Sequence, residues 1–133
     1  MHGYCSGAPG IGLAMLLYRE WDGAEPLQEK NLARAFAACG RIPLQARDHL
    51  CCGNSAAVEF LLEAGRALGE DAHVQTAGKR LAQIVARKTR LGQFCYLPPS
   101  YRDHLEPSLF YGAAGVGYEL LRWTDESLPS VLR

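Results

Sequence analysis

Apolar residues recur along almost the whole chain at helical intervals. Ile11, Ala14, Met15 and Tyr18 form one stripe, and Leu32, Ala35, Phe36 and Cys39 a second. Val58, Leu61, Leu62, Gly65 and Leu68 form a third, Val74, Ala77, Leu81, Ile84 and Val85 a fourth, and Val116, Leu120, Leu121 and Trp123 the last. Spacing at or near i, i+3, i+4, i+7 is that of a helix with one face in a core. The pattern therefore predicts an all-α fold of amphipathic helices, each burying its stripe against the next unit. Pro26 and Pro43 are expected in connections. Residues 91–111 carry Pro98, Pro99 and Pro107 among aromatics, which predicts a long ordered loop with a short strand near residues 94–97.

The chain also repeats itself. Gly7-Ala8-Pro9-Gly10-Ile11-Gly12 runs into Leu13-Ala14-Met15-Leu16-Leu17-Tyr18, and Gly112-Ala113-Ala114-Gly115-Val116-Gly117 into Tyr118-Glu119-Leu120-Leu121-Arg122-Trp123. A weaker copy starts at Gly53, with Asn54-Ser55-Ala56-Ala57-Val58 and then Glu59-Phe60-Leu61-Leu62. Offsets of 46 and 59 residues between the glycines leave room for a helical hairpin per unit. About three such units make a helical repeat array. In this register Cys5 and Cys51 are equivalent, each two residues before the repeat glycine. Cys52 is an added neighbour, and the third unit has Phe110 in the cysteine slot.

Composition narrows the function classes. The 133 residues are one domain by size, or a piece of a larger one. Fourteen Lys and Arg balance fourteen Asp and Glu, so no strong field draws nucleic acid or an anionic membrane. No apolar run reaches the roughly 20 residues that span a bilayer. Five cysteines, an odd number well below disulfide-scaffold density, fit a reducing cytoplasm.

The candidate chemistry lies in Cys5, Cys51 and Cys52. Adjacent cysteines are too close for the usual disulfide geometry, but both can reach one metal. Zn²⁺ takes thiolates in a tetrahedron, and three of them leave a fourth position for a substrate. A helix N-terminus near each thiol favours the thiolate. The competing reading is three small buried thiols with no ligand role. Cys39, on an apolar helix face, and Cys95, in an aromatic segment, take that plainer reading. Among the histidines, His2 is a possible fourth ligand or general acid at a terminus, and His49 a residue that orients a ligand. His73 is read as solvent-facing. His104 sits in the long loop with Tyr101, Arg102 and Asp103, where it can face a cleft. For all four, a surface or satisfied polar role is the simpler alternative. Gly10-Ile11-Gly12 lacks the preceding strand and spacing of a nucleotide loop.

Taken together, these motifs resemble the lanthionine synthetase C-like cyclases, including the C-terminal domain of the bifunctional class II enzymes. Cys5-Ser6-Gly7-Ala8-Pro9-Gly10-Ile11 is similar to that family's Cys-x-Gly-x-x-Gly-Ile motif. Leu50-Cys51-Cys52-Gly53-Asn54 is similar to its Cys-His-Gly-Asn motif, with Cys in place of His. Pro107-Ser108-Leu109-Phe110-Tyr111-Gly112 through Gly115-Val116-Gly117-Tyr118 is similar to its closing motif.

The resemblance implies a partial α/α toroid, residues 1–133 forming the C-terminal portion of a cyclase domain about three times as long. It implies zinc on Cys5, Cys51 and Cys52. The implied reaction is addition of a peptide cysteine thiol to dehydroalanine or dehydrobutyrine in a dehydrated precursor peptide, giving (methyl)lanthionine rings. The family's acid/base histidine falls upstream of the first cysteine motif, so no catalytic residue is assigned within this chain. Ser6 holds a position at the edge of the implied site. Three units do not close a ring, and apolar faces between repeats are expected to stay exposed. An upstream cyclase or dehydratase segment, or a partner chain, would complete it. The alternatives are a non-catalytic helical module binding zinc or thiols, and a truncated cyclase without activity.

Overall fold

In the computed structural model, which describes residues 2–96 and 106–133, the periodic stretches form five helices. They are α1 (Ala8–Asp22), α2 (Pro26–Arg41), α3 (Asn54–Leu68), α4 (Asp71–Leu91) and α5 (Ala113–Thr124). Pro43 lies in a connection, but Pro26 is the first residue of α2. A first-turn residue has no intrahelical acceptor for its N–H, so a proline ring costs nothing there. The Glu25 N–H beside it donates to Gln28 Oε1 at 3.2 Å.

There is no strand among the described residues. Residues 94–96, where the sequence predicts one, are irregular, and both backbone polar groups of Cys95 are taken by Asp48. The Cys95 N–H donates to Asp48 Oδ2 at 2.9 Å, and its carbonyl accepts the Asp48 N–H at 2.6 Å. Leu97 and the loop around His104 lie outside the described residues.

Helices α1, α3 and α5 pack side by side in that order, with α2 against α1 and α4 against α3. This is a partial α/α toroid of two helical hairpins and a further inner helix. The centre is α3, of whose 15 residues eleven are buried, including Val58, Phe60, Leu61 and Leu62. No helix is long and apolar enough to cross a membrane among the described residues.

Helices α1 and α5 turn a different face inward from the one their stripes predict, while α4 buries Ala77, Leu81 and Ile84 of its stripe. On α1 the buried residues are Pro9, Gly12, Leu13 and Leu16, while Ile11 and Tyr18 are 54% and 43% exposed. Contact with α3 sets this rotation. The Phe60 ring lies where a Cβ on residue 12 would come within 2.3 Å of it, so the helix approaches through Gly12. On α4, Val85 is exposed and Arg80 is buried, its Nη2 donating to the carbonyls of Cys39 at 3.0 Å and Ile42 at 2.6 Å. Those carbonyls end α2, where a cation complements the helix dipole.

The largest departure is α5. Glu119 and Arg122 are buried, and Leu121 and Trp123 are exposed. Arg122 pairs with Glu59 and, at 2.6 Å, with Glu63 of α3. Ser130 also bonds Glu59, and Arg133 pairs with both Glu63 and Glu20. The Tyr118 hydroxyl donates to the Pro129 carbonyl at 2.9 Å, and Leu132 is buried. An ionic network thus joins α1, α3, α5 and the C-terminal segment. Removing one partner from such a network strands a buried charge, at a cost of roughly 3–5 kcal/mol.

Candidate metal centre

Each inner helix begins after a glycine in extended backbone: Gly7 before α1, Gly53 before α3 and Gly112 before α5. The turns leading to these glycines are hydrogen-bonded to one another. The Tyr4 N–H donates to the Cys51 carbonyl at 2.6 Å, and the Cys51 N–H to the Phe110 carbonyl at 2.9 Å. All three turns therefore meet at one end of the array, as the repeat register requires.

The middle turn is the most tightly built. Asn54 Nδ2 donates to the carbonyls of Gln45 at 3.0 Å and Arg47 at 2.9 Å, and to Asp48 Oδ1 at 2.9 Å. Its Oδ1 accepts the Gln45 N–H at 2.7 Å. Asp48 is fully buried and also bound by Arg87. Ser55 Oγ donates to the Asp48 carbonyl at 2.6 Å. At Gly53 a Cβ would lie 2.5 Å from the His49 carbonyl oxygen and 2.7 Å from that of Arg47, so only glycine fits. Asn54, Asp48 and Gly53 together fix the backbone that carries Cys51 and Cys52.

The three predicted sulfurs come together. Cys5 Sγ lies 2.9 Å from Cys52 Sγ, which lies 3.4 Å from Cys51 Sγ. All three are within 4.8 Å of one another. In a tetrahedral zinc–thiolate site with bonds of about 2.3 Å, ligand sulfurs stand about 3.8 Å apart, so the donors and their spacing suit such an ion. Cys51 is buried, whereas Cys5 and Cys52 are exposed, so the cluster opens to solvent on one side.

The neighbouring sulfurs shift one another's acidity. Hydrogen bonds from Cys52, then Cys51 and Ser6, hold the Cys5 thiol below its usual range. Loss of water around the sulfur, although the residue as a whole is exposed, and then the bonds to Cys5 and Cys51 push the Cys52 thiol up to about 12. A thiolate at Cys5 thus discourages one at Cys52, and a divalent ion would offset that repulsion.

Around the sulfurs stand His49 and Tyr111. His49 is buried, and its Nδ1 accepts the Cys52 N–H at 3.2 Å. Burial, with the Arg47 charge, lowers its basicity. Its ring meets that of Tyr111 edge-on, with centroids 5.3 Å apart. The Tyr111 hydroxyl is 3.8 Å from Cys51 Sγ. Ser6 borders the cluster, its Oγ 3.8 Å from Cys5 Sγ.

The other candidates fall elsewhere. Cys39 is fully buried on α2, where desolvation pushes its thiol up to about 12. Cys95 is half-buried beside Asp48. His2 is exposed. His73 is not simply solvent-facing: it stacks on Phe36 with centroids 3.7 Å apart and bonds Glu70 at 2.9 Å. His104, Tyr101, Arg102 and Asp103 lie outside the described residues. Asp48 and Tyr111 were not singled out by the sequence. Tyr111 had a signal, since it fills the slot before the repeat glycine that Cys52 fills in the middle unit. Asp48 had none, because its partners Arg87 and Cys95 are remote in sequence.

A family model described as lanthionine synthetase C-like protein matches residues 3–133. Searches of the curated proteins and of the solved structures give no significant match. With a match over almost its whole length, and with the cysteine and glycine motifs of its sequence gathered at one end of a helical array, the chain belongs to the lanthionine synthetase C-like proteins.

Proposed function

We propose that this chain is the C-terminal, zinc-binding portion of a peptide cyclase domain, with Cys5, Cys51 and Cys52 as the metal ligands. The observation that carries the reading is the cluster itself: three sulfurs within 4.8 Å, two of them from equivalent turns, open to solvent on one side. A structural zinc site is closed by four protein ligands, and a catalytic one keeps a position free. When bound, zinc would ionise a substrate thiol at neutral pH, where a free thiol is only a few per cent thiolate.

The substrate is a dehydrated precursor peptide. Its cysteine sulfur forms a bond to the β-carbon of dehydroalanine or dehydrobutyrine, and the α-carbon takes up a proton. The residues of this chain hold the ion and fix its geometry. Asp48 and Asn54 anchor the middle turn, Gly53 lets it close, and His49 orients the Cys52 backbone. The proton donor is supplied by the upstream part of the domain. Exposed Ile11 and Tyr18 on α1 and exposed Leu121 on α5 support that arrangement, as flanks on which further repeats can pack.

Two measurements test the proposal. Purified protein should carry close to one zinc per chain, and Cys51→Ala should lose it. A zinc content under about a tenth of an equivalent, unchanged by the substitution, would sink the metal assignment. Incubating a dehydrated peptide with the chain joined to an upstream cyclase segment should then yield thioether rings, read as loss of free thiol at constant peptide mass. Zinc binding without ring formation would leave a metal-binding module instead of a cyclase.

A further inference from the structure

The third repeat unit carries no cysteine in its turn, yet it reaches the cluster. Tyr111 stands immediately before the N-cap Gly112, as Ser6 stands before Gly7 and Cys52 before Gly53. Equivalent slots in successive units should deliver their side chains to one place, and the hydrogen-bonded turns hold that register. The Tyr111 hydroxyl comes to 3.8 Å from Cys51 Sγ, within the longer range that sulfur allows a hydrogen bond.

Cys51 is the thiol that needs such a partner. It is the buried member of the three, so little water reaches it. Its sulfur meets the neighbouring Cys52 sulfur at 3.4 Å and the Tyr111 hydroxyl at 3.8 Å. A phenol is a donor suited to a thiolate. Its ring is held from the same loop that bears the ligands: His49 meets it edge-on at 5.3 Å and accepts the Cys52 N–H through Nδ1.

We propose that Tyr111 is a further positioning residue of the centre: the Cys51 thiol donates to the Tyr111 oxygen at 3.8 Å, and once that sulfur is a thiolate the phenol donates to it instead. The proposal rests on the zinc reading above. Three thiolates place much negative charge on one ion, and a donor on one sulfur draws part of it away. Partners of this kind set ligand basicity and metal affinity as surely as ligand identity does. The third repeat thus contributes a hydrogen-bond donor where the first two contribute ligands.

The test uses the full chain and Tyr111→Phe, which keeps the ring and its contact with His49. Each protein is loaded with Co²⁺, and its sulfur-to-metal charge-transfer band is recorded. Loss of the donor raises the energy of the sulfur electrons, so the band of Tyr111→Phe should shift to lower energy. Zinc affinity at neutral pH, read by competition with a chromogenic chelator, should fall roughly tenfold. Tyr18→Phe, which removes a phenol remote from the cluster, should change neither reading. Identical bands and affinities in wild type and Tyr111→Phe would overturn the role of Tyr111 and leave the zinc site standing. Absence of cobalt uptake by the wild-type chain would overturn both.

Discussion

Replacing Asp48 with alanine should destabilise the protein by about 3–5 kcal/mol, because it strands a buried guanidinium and opens the loop that carries two ligands. The Asp48 carboxylate is fully buried. It is paired with Arg87, which is nearly buried itself, and accepts bonds from Asn54 Nδ2 and the Cys95 N–H, each at 2.9 Å. Hydrogen bonds to a charged group contribute about 1.5–3 kcal/mol each, and an unpaired buried charge adds its desolvation cost. These terms overlap, so the figure for breaking a buried pair is used in place of their sum. Against a typical total of about 5–15 kcal/mol the loss is large. Urea unfolding followed by far-UV circular dichroism measures it, as a lower midpoint at unchanged slope. Asp48→Asn keeps one of the two acceptor oxygens, for Asn54 or for the Cys95 N–H, and should lose less than Asp48→Ala. Combining Asp48→Ala with Arg87→Met should recover part of the deficit, since the stranded charge is then gone. A loss below about 1 kcal/mol in Asp48→Ala, or strict additivity in the double variant, would refute the view that this pair anchors the loop.

Two further outcomes concern the turn and the ionic network. Gly53→Ala places a Cβ against three backbone atoms of residues 47 and 49, so the turn must move; zinc affinity should fall by roughly tenfold or more in chelator competition, and wild-type affinity would contradict the steric argument. Burial, and then the Glu59 charge, raise the Glu119 carboxyl from 4.5 to about 10, with Arg122 at 3.8 Å. A folded pKa above the unfolded one gives stability that is whole below about 4.5 and fades as pH climbs towards about 10. Glu119→Gln should therefore match wild type near about pH 5 and exceed it by a growing margin at about pH 8 in urea titrations, whereas a constant difference would show that Glu119 does not titrate abnormally.

The positions of the helices were legible in the chain because amphipathic periodicity and glycine-rich starts are local signals. All five stripes fall in helices, and Gly7, Gly53 and Gly112 cap α1, α3 and α5. Which face of each helix turns inward was less legible. A stripe is drawn from residue hydropathy alone, yet α1 packs through Gly12 and α5 through Glu119 and Arg122. A glycine that admits a ring, and a carboxyl group beside an arginine with acidic partners on the next helix, become core residues only once the neighbour is known. The same reason hid Asp48, whose worth lies in residues about forty positions away.

The repeat register and the cysteine motif were enough, by sequence alone, to place Cys5, Cys51 and Cys52 at one end of an all-α array. Equivalent positions in successive units emerge on the same side, and that follows from periodicity without coordinates. The tertiary structure decided the rest. It brought the sulfurs within 4.8 Å, buried Cys51 while leaving Cys5 and Cys52 open, and set His49 and Tyr111 against them. Those features depend on how one turn hydrogen-bonds to the next across dozens of residues, and no local pattern encodes that distance.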